Sequence, residues 1–415
     1  MTIDEAISVA MARGFGVRTA RSLQEKTHQR VQEAKGSIGP RVTLGGTYLQ
    51  FDQPTSAGDP PKVVVPRTEK SVNATASLPL DISGNLGLAI HAAKSAEDAS
   101  ELAVQSAKND LRRDVRKAFY RVLQSKELLD VAIASKTGAD LRLANTKAQF
   151  EAGSLAKVDV LRADVQATQA ESDRLAAANA LDISKKSFNN QLALPVETPV
   201  DLAPVADRSS LAPTDDARLF EAAQRLRPDL DALRATAVAL HAVTRAEERG
   251  LQPSLNLSSV VSRQIDPLSG TRPSLTTTAL TLTWPIFDSG VTRARVKQDR
   301  QDEEALRIQT EQLALGISLE VRQATTNLAN AAARLETAKR QVELAEEAFR
   351  LAGVRRDAGE GILLEVLDAQ TDLTRARTQF VTTRYDYLAA YADLQRAIGV
   401  DDVGAALKAV AGVTR

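Results

Sequence analysis

The chain has no cysteine, only three histidines and a single tryptophan, and aromatics make up 4% of its 415 residues. Without cysteine, disulfides, thiolate metal sites and cysteine nucleophiles are excluded. It also lacks an excess of either charge, since 53 Lys and Arg balance 53 Asp and Glu. Zero net charge with no long basic run argues against a nucleic-acid partner. No stretch approaches the ~18 consecutive apolar residues of a transmembrane helix, so a membrane role would have to use strands. The chain opens at Met1-Thr-Ile-Asp-Glu with no apolar targeting region. An export signal is therefore expected to be missing or removed, which leaves lipid anchoring open. No Ser/His/Asp set, phosphate-binding glycine loop or metal cluster stands out, so neither an enzyme nor a cofactor is expected. His28 and His241 are isolated, lack a convincing ligand spacing and read as helix-surface or interface residues.

What the chain does have is Ala, Leu, Arg, Glu and Gln, the bias of long helices and coiled coils, and it has the pattern twice. Shifted by 206 residues, Ala152-Gly153 falls on Ala358-Gly359, Val160-Leu161 on Val366-Leu367 and Leu78-Pro79-Leu80 on Trp284-Pro285-Ile286. Upstream the offset is 213, where Pro40-Arg-Val-Thr-Leu44 meets Pro253-Ser-Leu-Asn-Leu257 and His28 meets His241. The seven-residue change falls in 49–70 and 262–274, as length variation in two loops would. The organisation is thus a first repeat over 1–193, a Pro-rich linker over 194–213, a second repeat over 214–399 and a tail over 400–415.

Each repeat has one internal order. A helical stretch (about 2–38 and 214–250) precedes two alternating segments. Val42, Leu44, Gly46 and Tyr48 alternate with other residues, as do Val72, Ala74, Ala76 and Leu78. In the second copy Leu255, Leu257, Ser259 and Val261, then Leu280, Leu282 and Trp284, do the same. Period two predicts strands at about 41–50, 71–79, 254–263 and 275–284, paired as hairpins around the loops Asp52–Pro66 and Asp266–Pro273. Pro79 and Pro285 are expected to end the second strand of each hairpin, because proline lacks the ladder donor.

A long helix follows, about 88–150 and 294–356. In the second copy Val321, Leu328, Leu335, Val342 and Phe349 recur every seven residues beside Ala324, Ala331, Ala338, Ala345 and Ala352. Five heptads of an a/d seam predict left-handed supercoiling, and alanine at every d position suits a wall of close helices. After Gly153 or Gly359 a helix returns, with Val366, Leu373, Phe380, Tyr387 and Leu394 as its seam. At about 1.5 Å per residue the long helices would span roughly 95 Å, matched by two return helices of about 55 Å end to end. The expected fold is mainly α with a small β part: a cylinder of long antiparallel helices, an α-barrel, plus four strands per chain. Four strands cannot enclose an interior, but three chains would supply twelve, which suits a membrane barrel. A small water-soluble β-domain on a helical stalk is the other reading of the same pattern.

This order, given twice, resembles the TolC-like outer-membrane efflux proteins. Arg227-Pro-Asp-Leu230, Pro253-Ser-Leu-Asn-Leu257, Trp284-Pro-Ile-Phe-Asp-Ser-Gly290 and Ala358-Gly359 with Glu365-Val-Leu-Asp-Ala369 carry the resemblance over nearly the whole chain. It implies a homotrimer with a twelve-stranded outer-membrane barrel and a helical periplasmic tunnel, joined by an adaptor to an inner-membrane pump. The turns Gly153, Ser154, Leu155 and Gly359, Glu360, Gly361 would lie at the periplasmic tip and receive the adaptor. Glu365 and Asp368, at i and i+3 on one helix face, would line the entrance. Six carboxylates in a trimer would favour cations. A solvated helix face whose acids suit the dipole is the bland alternative. Asp159, the repeat mate of Glu365, is a candidate latch toward Arg356 or Arg355. The family's gate carries Tyr and Arg where this chain has Arg356 and Gly361, so only a pairing of Asp159 with a basic residue of the second long helix is expected. Trp284 would mark the membrane–water boundary or pack under the strand-to-helix bend. The rival to an outer-membrane channel is a non-channel coiled-coil structural or adaptor protein of the cell envelope.

Overall fold

The computed structural model describes residues 1–205, 216–268, 272–401 and 403. The later part of the linker, 206–213, and the tail beyond 403 lie outside the described residues. The elements run α1 (Ile3–Arg13), α2 (Phe15–Gly36), β1 (Arg41–Gln50), β2 (Thr55–Ala57), β3 (Lys62–Val65), β4 (Thr68–Leu80), α3 (Asn85–Glu151) and α4 (Lys157–Gln191). The second half gives α5 (Asp216–Leu226), α6 (Pro228–Glu248), β5 (Ser254–Gln264), β6 (Ser274–Thr283), α7 (Val291–Asp357) and α8 (Leu363–Ile398). The fold is mainly helical with a small sheet part. Among the described residues no helix is long and apolar enough to cross a membrane.

Each stretch read above as one opening helix is two. A capping box starts α1: Glu5 N–H donates to Thr2 Oγ1 at 3.3 Å, and Thr2 N–H donates back to the Glu5 carboxylate at 2.8 Å. The break after α1 is at Gly14, where an added Cβ would stand 2.6 Å from the Ala10 carbonyl oxygen and 2.9 Å from Leu111. In the second copy Pro228 opens α6 with φ already set for a helix, while Arg227 before it is pushed out of the helical region.

The chain divides into two compact units. Met1–Arg21, Leu102–Leu230 and Gln312–Arg415 form a helical unit; Ser22–Glu101 and Asp231–Glu311 form a unit that holds the sheets. In the helical unit the repeat reappears as two equivalent cores. One contains Ala6 and Ala10 of α1, Val115 of α3, Phe188 of α4 and Leu192 at its C-cap. The other contains Leu219 and Ala223 of α5, Val321 of α7, and Leu394 and Ile398 of α8. These ten residues form five pairs of repeat mates, position for position. The heptad seams face inward: Val321, Ala324, Ala331, Ala338, Val366, Leu373, Tyr387 and Leu394 are all buried.

One charged group is buried beside the second core. Arg227 is 3% exposed and holds Asp229 and Glu320, while Arg396 joins Glu320 to Asp110 at 2.6 and 2.8 Å. Burial alone would raise the Asp229 carboxyl. The hydrogen bond and charge of Arg227, the Leu230 N–H and Arg396 outweigh it and hold the group below the usual carboxylate range.

In the other unit β1, β4, β5 and β6 form one antiparallel sheet in the order β1-β4-β5-β6, and β2 pairs with β3. The small hairpin β2–β3 occupies part of the loop expected at 52–66. Pro79 does not end its strand: β4 runs on to Leu80, with Pro79 opposite Asn256. On its other side β1 has already ended, opposite Ser77. Pro79 therefore has a flank where no ladder donor is needed.

Register sorts the sheet into two faces, because directly opposed residues point the same way. Val42, Ala76, Ser259 and Thr278 form one rung, and Leu44, Ala74, Val261 and Thr276 the next. Toward the helices the same face carries Leu78, Leu257 and Leu280, then Leu80, Leu255 and Leu282. The opposite face carries Thr43, Thr75, Val260 and Thr277 on one rung, Ser77, Ser258 and Ala279 on the next, and Pro79, Asn256 and Thr281 beyond it, so it is the more polar of the two. The apolar face is bare, with Leu44 80% and Leu282 60% exposed.

Candidate functional site at the helix turns

The two helix reversals belong to the helical unit and are built alike. After α3, Gly153 N–H donates to the Phe150 carbonyl and Ser154 N–H to the Gln149 carbonyl; after α7, Gly359 N–H donates to Arg356 and Glu360 N–H to Arg355. This is the Schellman pattern, which needs a left-handed residue just past the helix. Gly153 at φ 77° and Gly359 at φ 80° supply it. Ser154 adds a hydroxyl bond to the Gln149 carbonyl at 2.8 Å, and Leu155 and Gly361 lead on to the starts of α4 and α8. Neither return helix has a side-chain cap, since Ala156 and Ile362 occupy the N-cap positions. Asp159 and Glu365 stand in the first turns instead, where the helix dipole favours a carboxylate.

The basic residues sort differently from the expected latch. Asp159 lies 4.0 Å from Arg162 of its own helix, not beside a basic residue of the second long helix. Arg355 Nη1 reaches Glu365 at 3.3 Å while its Nη2 donates to the Glu360 carbonyl, so this guanidinium clasps its own turn. Arg356 donates to Gln149 Oε1 at 3.1 Å and ties the end of α7 to the end of α3. The local reason is reach: the Gly359 reversal brings the last turn of α7 alongside the first turn of α8. Asp368 is exposed and has no ion pair among the described residues.

Repeat mates also meet between α4 and α8. A groove of about 350 Å³ is lined by Val158, Leu161, Arg162 and Val165 on one side and Leu364, Leu367 and Asp368 on the other. Val158 pairs with Leu364, Leu161 with Leu367 and Arg162 with Asp368 under the 206-residue offset. Val158, Leu161, Val165 and Leu364 are exposed, so the return helices present an apolar stripe beside the turns.

A residue that sequence reasoning passed over is Arg142. Its guanidinium lies over the Phe349 ring at 5.6 Å, and its Nε and Nη2 are buried without a hydrogen-bond partner. Burial, with the charge of Arg356 nearby, lowers its pKa. The only signal in the sequence was a basic residue where the second copy has Ala348.

The remaining sequence candidates lie in the other unit. Trp284 directly follows β6, is 60% exposed and donates from Nε1 to the Leu251 carbonyl at 3.1 Å. His28 Nδ1 meets Glu97 at 2.6 Å, and His241 Nδ1 meets Glu303 at 3.3 Å; the two glutamates are again repeat mates.

Duplicated long helices with glycine reversals, and a sheet with one bare apolar face, define a protein of the outer-membrane efflux-channel class. The chain belongs to the outer membrane efflux protein family, whose model matches residues 6–192 and 219–400, one stretch in each repeat. It is 23% identical over 408 residues to the cobalt-zinc-cadmium resistance protein CzcC of Cupriavidus metallidurans, covering 96% of this chain and 90% of that protein. It is 22% identical over 404 residues to the outer membrane protein TolC of Escherichia coli, covering 92% and 79%. Among solved structures, CusC superposes with a TM-score of 0.81 at 19% identity, covering 96% of this chain and 92% of that one. The outer membrane protein VceC of Vibrio cholerae gives 0.80 at 15% identity, covering 96% of each chain. The solved structures share its fold. Members of the family are outer-membrane efflux channels, and the chain is not an enzyme.

Proposed function

We propose that three copies of this chain assemble into a passive export duct of the outer membrane, fed by a periplasmic adaptor and an inner-membrane pump. The observation that carries the reading is the sheet. Its apolar face is exposed, and its edge strands β1 and β6 each have one unpaired side. Unpaired backbone groups within lipid cost several kcal/mol each. Pairing β1 of one copy with β6 of the next satisfies both edges and closes twelve strands around a polar lumen. The observed strands of 10 to 13 residues suit a tilted bilayer crossing. A coiled-coil structural protein in water would leave that face without a favourable solvent. Trp284, at the helix end of the apolar face, sits in this reading at the inner membrane boundary.

Most of the chain then lies in the periplasm, with the helices as an α-barrel. The turns Gly153, Ser154, Leu155 and Gly359, Glu360, Gly361 form the tip and, with the apolar groove beside them, take the adaptor. Open space around Gly153 and Gly359 supports an exposed docking edge. Glu365 and Asp368 of three copies ring the entrance. Asp368 contributes a carboxylate with no ion pair among the described residues, and Arg355 balances Glu365. Arg356, through Gln149 of α3, and Arg355, through Glu365 and the Glu360 carbonyl, brace the tip, while Asp159 stays with Arg162 of its own helix. Native mass measurement of detergent-extracted protein is expected to give a trimer that conducts in planar bilayers. A stable, non-conducting monomer would sink the proposal.

A further inference from the structure

The apolar face of the sheet ends in two different ways. All four helix connections leave from one end, beyond Arg41, Leu80, Ser254 and Thr283, and the other end is marked by Gln50, Thr68, Gln264 and Ser274. At the helix end this face finishes in Leu80, Leu255, Leu282 and Trp284. At the turn end Tyr48 stands opposite Lys70, and one rung inward Gly46, Val72, Arg263 and Ser274 lie side by side. Arg263 and Lys70 are thus diagonal neighbours on adjacent strands, within reach of one another's ligands. Arg263 is exposed and has no ion pair among the described residues. Lys70 meets Asp266 at 3.1 Å, with both side chains about half exposed. Beside them the surface is open and carries no side chain at Gly46, where an added Cβ would touch nothing within 4 Å.

We propose that Arg263 and Lys70, with the Tyr48 hydroxyl, bind the phosphate of an anionic lipid headgroup in the outer leaflet, an acyl chain lying over Gly46 and Val72. The inference rests on the sheet being part of an outer-membrane barrel. From Val72 to Leu80 the apolar rungs cover about 26 Å along the strand, about 20 Å upright at a ~40° tilt, close to the ~25 Å apolar band of such barrels. Lys70 and Arg263 therefore fall at headgroup level, where a basic residue facing lipid costs little and its stem lies along apolar surface. A guanidinium forks onto phosphate oxygens, and a flanking ammonium adds a second charge-assisted bond. The helix end of the face has no such pair, so the arrangement favours one leaflet.

The test is lipid retention by the full-length protein in phosphatidylcholine nanodiscs doped with a bisphosphorylated glycolipid or its dephosphorylated form. Retained lipid is counted by native mass spectrometry, and conductance is checked in vesicles of the same composition. Wild type is expected to keep the phosphorylated lipid and release the other. Retention should fall about 5-fold in Arg263→Gln and about 30-fold in Arg263→Gln/Lys70→Gln, with Arg263→Lys between wild type and Arg263→Gln because it keeps the charge and loses the fork. Lys62→Gln, a lysine of β3 outside this rung, should leave retention unchanged. Conducting protein that holds both lipids equally, or a double variant that retains lipid like wild type, overturns the inference and leaves the channel reading intact. Displacement of the lipid by free inorganic phosphate overturns the lipid assignment. Loss of conductance in wild type instead counts against the channel reading itself.

Discussion

The two units treat the same kinds of residue in opposite ways. In the helical unit Phe119, Phe188 and Leu192 are buried in one core and Leu394 and Ile398 in the other. In the sheet Val42, Leu44, Leu280 and Leu282 line up as regularly, and all stand exposed. Each large aliphatic left in water forgoes roughly 1.5–3 kcal/mol, so the cost of exposure is concentrated on one face of the sheet. The contrast teaches that one part of the chain carries its own apolar solvent and the other expects to be given one.

The comparison can be broken most severely from the helical side. Arg227→Ala leaves Asp229 without its ion-pair partner beside the second core, while Glu320 keeps Arg396, and is expected to cost about 3 kcal/mol, read as a lowered urea midpoint. The same cluster gives acid sensitivity. Because the Asp229 carboxyl is held low in the folded state, its contribution is in full above the usual carboxylate range and is lost as pH falls through and below it. A midpoint as steep in acid for Asp229→Asn as for wild type would contradict that assignment. On the sheet, Leu44→Arg should cost about 2–4 kcal/mol in lipid, while Thr43→Arg on the opposite face should be nearly neutral. Reversed or equal effects on trimer yield in vesicles would show that the faces have been assigned wrongly.

Smaller effects are expected at the turns. Glu365→Gln with Asp368→Asn should lower the preference for cations over anions several-fold, on the order of 1 kcal/mol, measured as a reversal potential in planar bilayers. Arg162→Ala removes only the partly exposed partner of Asp159 and should change thermal stability by about 0–1 kcal/mol. A larger loss would give that pair a role that its 4.0 Å separation does not suggest.

Much of this architecture was legible because it rests on period and repetition. Alternation marks Arg41–Gln50 and Ser254–Gln264 as strands, and heptads mark α7 and α8, since each pattern records one apolar side. The paired glycines mark both reversals for the same reason: one backbone conformation, used twice. What escaped depends on distant contacts. Nothing local to Gly14 shows that Leu111 of α3 will press against it. The strand β3, with Val63, Val64 and Val65, is short enough to vanish in a loop rich in Pro, Gly and Asp. At the turns, acids and bases could be named but not matched. Whether Arg355 turns back to Glu365 or outward to Asp159 depends on side-chain reach across a reversal. Arg142 was invisible because its defining neighbour, Phe349, is two hundred residues away.

The duplication bears on symmetry. Three copies joined edge to edge would present six hairpins of nearly equal make, so the mouth approximates a hexagon. Near the reversals the equivalence fails, for Glu365 matches acidic Asp159 while Asp368 matches basic Arg162. The two halves have drifted apart where sign of charge matters and stayed interchangeable where only greasiness does. In such a trimer the acidic mates Glu365 and Asp159 would repeat six times and the Asp368 and Arg162 positions would alternate in sign, so selection can act on the second pair without touching the first.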